Sequence, residues 1–180
     1  MAGNLRQVAC FATATMLLCC AAATALGQSG DKVERIPIPN PDLPIAGAVV
    51  VPAGNDTIYV SGHIPKVVKP DAPKGSPEMY GDTKTQTISV LQQIEDLLAA
   101  QHLSMADVVM VHVFLAGDPV NGGKMDFAGM NTGFQQFFGS KEQPNKPARS
   151  TVQVVALAAP GALVEIEAIA VRKHEPHLVH

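Results

Sequence analysis

The chain has 180 residues, enough for one domain around one apolar core. It is 47% hydrophobic but has no tryptophan and only 4% aromatic residues, so aliphatic side chains must fill that core. A formal charge of −3 supplies no basic stripe for nucleic acid, so no nucleic-acid partner is expected.

Residues 1–25 read as a secretory signal peptide. Arg6 precedes an apolar run from Val8 to Ala22, and Ala23–Ala25 supply the small residues a peptidase needs. The run is short for a membrane span of about 20 residues. Cys19 and Cys20 raise a lipoprotein site as a minor alternative, but Leu17 and Leu18 stand where small residues should precede a lipidated cysteine. All three cysteines lie in this segment, so the mature chain would have no disulfide, thiol nucleophile or cysteine metal site. Arg6 is the one charged residue removed, which takes the formal charge from −3 to −4. The expectation is an exported protein, periplasmic or secreted and free of the membrane after cleavage. Its core or self-assembly would stabilise it.

Residues 26–43 are rich in proline and polar residues and read as a linker or extended arm. Residues 44–173 form the expected domain. Ala46 to Val51 reads as a first strand and Thr57 to Ser61 as a second in the same hairpin, joined by turn chemistry at Gly54-Asn55-Asp56. Residues 66–81 form a long Pro/Gly/Lys-rich loop, a kind that is often functional. Ile88, Leu91, Ile94 and Leu98 recur at helical spacing within a helix from Thr83 to Gln101, with Asp82 as N-cap. Val108 to Leu115 is a β-branched strand, and residues 118–124 are a turn-rich loop. Met125 to Phe138 is a second helix with Phe127, Met130, Phe134 and Phe137/Phe138 on its core face. Strands follow at Ser150 to Leu157 and Leu163 to Val171, and residues 174–180 are a polar tail. The pattern is α+β: one mixed sheet with two helices on one face, the other face seeking a partner.

The chemistry gathers near the C-terminus. Arg149 enters a strand behind Pro147 and Ala148, and its guanidinium suits a carboxylate. A structural ion pair with Glu165 or Glu167 is the plainer alternative. Strand alternation puts both glutamates on one face, where a partly buried carboxyl could handle protons. Ser61-Gly62 at a strand end could offer backbone amides to an anion or be a plain turn. His63, His102 and His112 lack ligand spacing, so no metal is expected. His174, His177 and His180 read as part of a tail. No hydrolase triad, Walker loop or dinucleotide fingerprint is present.

Together "IYVSGHIP", "FAGMNTGFQQFF", "PARSTVQVVAL" and "VEIEAIAV" resemble the RidA/YjgF family of reactive intermediate imine deaminases, long labelled endoribonuclease L-PSP-like. The resemblance spans about Pro44 to Arg172. It implies a chorismate-mutase-like α+β fold, a homotrimer with its sheets innermost, and active sites between subunits. It further implies hydrolysis of enamines and imines to 2-keto acids and ammonia, with no metal or organic cofactor. By that resemblance Arg149 clamps the substrate carboxylate and Glu165 positions the attacking water. Ser61, Gly62, Asn131 and Thr151 are the expected substrate-binding residues, Thr151 standing where the family often carries cysteine. Pro44 is followed by Ile45, where the family often has tyrosine. A non-catalytic small-ligand binding or protective protein on the same fold is the second reading. A ribonuclease is the third, against the negative charge.

Overall fold

The computed structural model describes residues 32–173, so the proposed signal peptide and the polar tail lie outside the described residues. Helix α1, Thr83–Ala100, starts where Asp82 accepts a hydrogen bond from the Thr85 amide at 2.7 Å. Val90, Leu91, Ile94 and Leu98 form its buried stripe, as a 3.6-residue period requires. One polar residue joins them. Gln86 is fully buried, donating to the Gly81 carbonyl at 2.8 Å and accepting from the Leu163 amide at 2.7 Å. Both ends of a buried amide are thereby satisfied, and α1 is tied to the start of the last strand.

The main sheet has four strands: β3 (Asn55–His63), β4 (Val108–Ala116), β5 (Ala148–Val154) and β6 (Val164–Lys173). Their spatial order is β3-β6-β4-β5. β4 and β5 run parallel, and β6 is antiparallel to both β3 and β4, so the sheet is mixed. Val60, Val111, Val113, Leu115, Ile166 and Ala168 face the helices and are buried. On the opposite face Tyr59 is 77% exposed and Val152 47%. The second helix, α2 (Phe127–Phe134), packs across α1 at Gly133, where a Cβ would come within 2.9 Å of Thr87 Cβ.

The expected hairpin does not form. β2 (Ala48–Val50) pairs instead with β1 (Glu34–Ile36) from the N-terminal arm, in a separate two-stranded ribbon. The Gly54 turn is present with φ at 84°, but beyond it β3 takes β6 as its neighbour. Cations secure the arm. Arg35 Nη2 donates to the Ala106 and Val108 carbonyls at 2.7 and 3.0 Å. Lys146 Nζ donates to those of Pro41 and Leu43 at 2.6 and 2.9 Å. The second helix also ends at Phe134 rather than Phe138, although Phe137 and Phe138 remain in the core. Phe127 leaves the core face and is 41% exposed.

Candidate functional site

Strand β5 begins at Ala148, and its parallel pairing sets Arg149 opposite Val111. Paired residues share a face, so Arg149 points to the helix side of the sheet. There it meets α2. Both Nη atoms donate to Asn131 Oδ1 at 3.2 Å. The guanidinium carbon lies 4.5 Å from the Phe134 ring centre and 5.6 Å from that of Phe127. Phe127, Asn131 and Phe134 stand at i, i+4 and i+7, one face of a helix. That face surrounds the cation with an amide between two rings.

Neither Glu165 nor Glu167 pairs with this arginine, which corrects the ion-pair alternative. Glu167 Oε1 accepts a hydrogen bond from His112 Nδ1 at 2.8 Å. No acid lies within ion-pair distance of Arg149 among the described residues. Burial pushes its pKa down to about 10. The group is still protonated at neutral pH, but it is poorly hydrated and has no counter-charge. Such a cation favours an incoming anion strongly.

Thr151 lies two residues along the same face, opposite buried Val113. Its Oγ1 is buried without a hydrogen-bond partner. Arg149 and Asn131 are thus in contact, and Thr151 shares their side of the sheet.

Glu165 belongs to another. It pairs with Phe114 and points to the open face of the sheet. Its neighbour is Gly62: a Cβ there would collide with the Glu165 carboxyl. Ser61 and Gly62 sit within the irregular stretch of β3 between Val60 and His63, a bulge of the kind that re-aims groups beside a site. Glu165, Glu167 and Phe114 line an open cleft of about 310 Å³ with Val154, Ala156, Leu157 and Ala158. Within one chain, then, the predicted residues assemble as two half-sites on opposite faces of one sheet. Among the described residues no three His, Cys, Asp or Glu side chains gather as metal ligands.

Sequence reasoning placed Phe127 and Phe134 in the core and missed them as neighbours of Arg149. Their spacing around Asn131 was the available signal.

The profile described as Endoribonuclease L-PSP matches residues 45–172. A RutC family protein of Pyrococcus horikoshii is 36% identical over 135 residues, 75% of this chain and 92% of that one. TdcF of Escherichia coli, whose name proposes a reactive intermediate deaminase, is 36% identical over 115 residues, 64% of this chain and 78% of that one. The crystal structure of the YjgF gene product from Escherichia coli matches with a TM-score of 0.50 at 34% identity, covering 68% of this chain and 84% of that one. A Rid family protein of Yersinia pestis shares the fold at a TM-score of 0.53 and 24% identity, covering 71% of this chain and 86% of that one.

Proposed function

Since the chain belongs to the endoribonuclease L-PSP family, that of the RidA/YjgF proteins, we propose that it hydrolyses reactive enamines and imines to 2-keto acids and ammonia. The observation that carries this reading is Arg149: a desolvated guanidinium, framed by Asn131, Phe134 and Phe127, with no acid paired to it among the described residues. Two of its five N–H donors already meet Asn131 Oδ1. Nη1 also donates to Met130 Sδ at 3.9 Å, and the remaining donors are open to a substrate carboxylate, which fixes the adjacent imine carbon. The Thr151 hydroxyl is a further polar contact.

Glu165 holds the attacking water. The water oxygen bonds to the imine carbon, and one of its protons passes through the carboxylate to nitrogen. The hydroxyl of this adduct then gives its remaining proton through the same carboxylate to nitrogen, the C–N bond breaks, and the products are a ketone and ammonia. An imine carbon is already electrophilic, so a water held by a carboxylate suffices.

This chemistry needs Arg149 and Glu165 at one substrate. They occupy opposite faces of the sheet in one chain, which supports a site completed between copies; the family resemblance makes that assembly a homotrimer. Export of the chain to the periplasm or medium belongs to the same proposal. A chain found only in the cytoplasm, with residues 1–25 still attached by intact mass, would refute it.

The test uses imines generated in situ, with keto-acid release followed for the wild type and Arg149→Ala. The variant should lose the acceleration while remaining assembled; an undiminished rate would sink the assignment. One observation favours a second reading, a binding or protective protein: the Arg149 half-site is complete within a single chain. Calorimetry showing tight binding of a 2-keto acid, with no turnover of any imine tried, would decide for it.

A further inference from the structure

The alternation that brings Arg149 and Thr151 to the helix side of β5 brings Gln153 there too, opposite buried Leu115. Gln153 uses both ends of its amide on one loop. Oε1 accepts from the Met125 backbone N–H at 2.9 Å, and Nε2 donates to the Gly123 carbonyl at 3.0 Å.

That loop is tightly folded at the point of attachment. Gly122 and Gly123 both have positive φ, 65° and 78°. Gly117 has no room for a Cβ, which would strike the Gly123 carbonyl and come within 3.1 Å of Gln153 Nε2.

The attachment lies just ahead of α2. Met125 is followed by Asp126, whose side chain caps the helix by accepting from the Gly129 amide at 2.8 Å. Phe127 comes next and Asn131 one turn later, the two residues that frame Arg149 together with Phe134. Strand and helix thus meet twice: directly at the guanidinium, and four residues along β5 through Gln153. No hydrogen bond joins Gln153 to Arg149 among the described residues.

We propose that Gln153 is a positioning residue for the hydrolase reaction: its amide fixes where α2 begins and so holds Phe127 and Asn131 against Arg149. The inference rests on the imine-hydrolase reading above. Its effect belongs on substrate binding, because the groups it positions frame the carboxylate clamp and not the water.

Two variants test it. Gln153→Leu keeps the size and removes both bonds. It should raise KM for the imine about tenfold, the effect expected of two hydrogen bonds of ordinary net strength, with kcat within about twofold. Exchange of the Met125 amide should quicken. Gln153→Glu supplies a signature that general loosening would not. As a carboxylate it can accept from Met125 but repels the Gly123 carbonyl; once protonated it can donate there as the amide does. Its affinity for 2-oxobutanoate, measured by calorimetry relative to the wild type, should therefore recover as pH falls toward the carboxyl range of about 4 to 5.

A wild-type KM in Gln153→Leu, despite a deprotected Met125 amide, would overturn the proposal. So would a Met125 amide that stays protected, or a Gln153→Glu affinity deficit that ignores pH. A wild type that neither turns over imines nor binds 2-oxobutanoate would instead defeat the functional reading itself, and the inference with it. If the leucine variant fails to fold, the pH arm of Gln153→Glu decides alone.

Discussion

Arg149 shows how a residue can be costly to the fold and useful to a site. Burial pushes its pKa down to about 10, so the folded state holds this charge at a cost. The two ring contacts return about 1 kcal/mol. The two hydrogen bonds to Asn131 add to that return, so the cost is largely offset and Arg149→Met should unfold within a few degrees of the wild type, while losing carboxylate binding. A clear fall in Tm would show that the cation is a structural member instead. The sign with pH follows. The folded pKa lies below the unfolded one, so the penalty is present at neutral pH and is released only as pH rises through about 10. Carboxylate binding should fade over that same rise. Glu165 makes a contrasting case on the other face. Gly62 leaves no space for a Cβ beside its carboxyl, so Gly62→Ala must push Glu165 aside. We expect kcat to fall at least tenfold, the usual worth of a positioned acid–base group being about 10²–10⁴, with little change in keto-acid affinity. An unchanged kcat would remove Glu165 from the water-holding role.

Among the elements, those with strong local signals were readable in advance. The stripe of Leu91, Ile94 and Leu98 and the Asp82 cap marked α1, and the β-branched run marked β4. Asp82→Ala should cost about 1 kcal/mol by denaturant unfolding. Hydrogen bonds to Thr85 hold the Asp82 carboxyl below its ordinary value. Its support is therefore present above that ordinary value and lost as pH falls through the folded one, so the penalty of the variant should shrink in acid. A penalty that persists at low pH would point to something other than capping. Strand partners were harder to read. The Gly54 turn suggested that β2 and β3 pair, but a turn constrains a few residues while pairing depends on which faces are buried. β3 gains more beside β6, where Val60 joins the core, and β2 is left to Glu34–Ile36. Phe127 misled for a related reason. Its helical spacing matched the core stripe, yet it lies at the first turn of α2, beyond the sheet's cover and against Arg149. Arg149 was legible as a cation at a strand mouth. Its partner was not, because which face β5 turns toward α2 is set by register and not by composition.

At the scale of the whole molecule, strand register decides how the site must be built. Arg149 shares a face with Val111 and Glu165 with Phe114, and alternate residues of β4 point to opposite sides. On the proposed reading, a substrate held by Arg149 of one chain is met by Glu165 of another. The open face, with Tyr59 77% exposed and Val152 47% exposed, supplies an apolar surface for that association. In the proposed cyclic trimer each interface would be head-to-tail, and every site would take its arginine from one subunit and its glutamate from the next. This separates two inactive variants by experiment. Arg149→Ala and Glu165→Ala should each be dead as pure trimers. Unfolded together in equal amounts and refolded, they form mixed trimers. A site is intact wherever a subunit with a native arginine precedes one with a native glutamate, so random assortment should restore about one quarter of wild-type imine hydrolysis. Simple mixing without exchange should restore none. Mixed trimers, verified by mass, that remain inactive would mean that the two residues do not share a substrate across subunits. A mixture that never assembles beyond the monomer would dispose of the trimer itself.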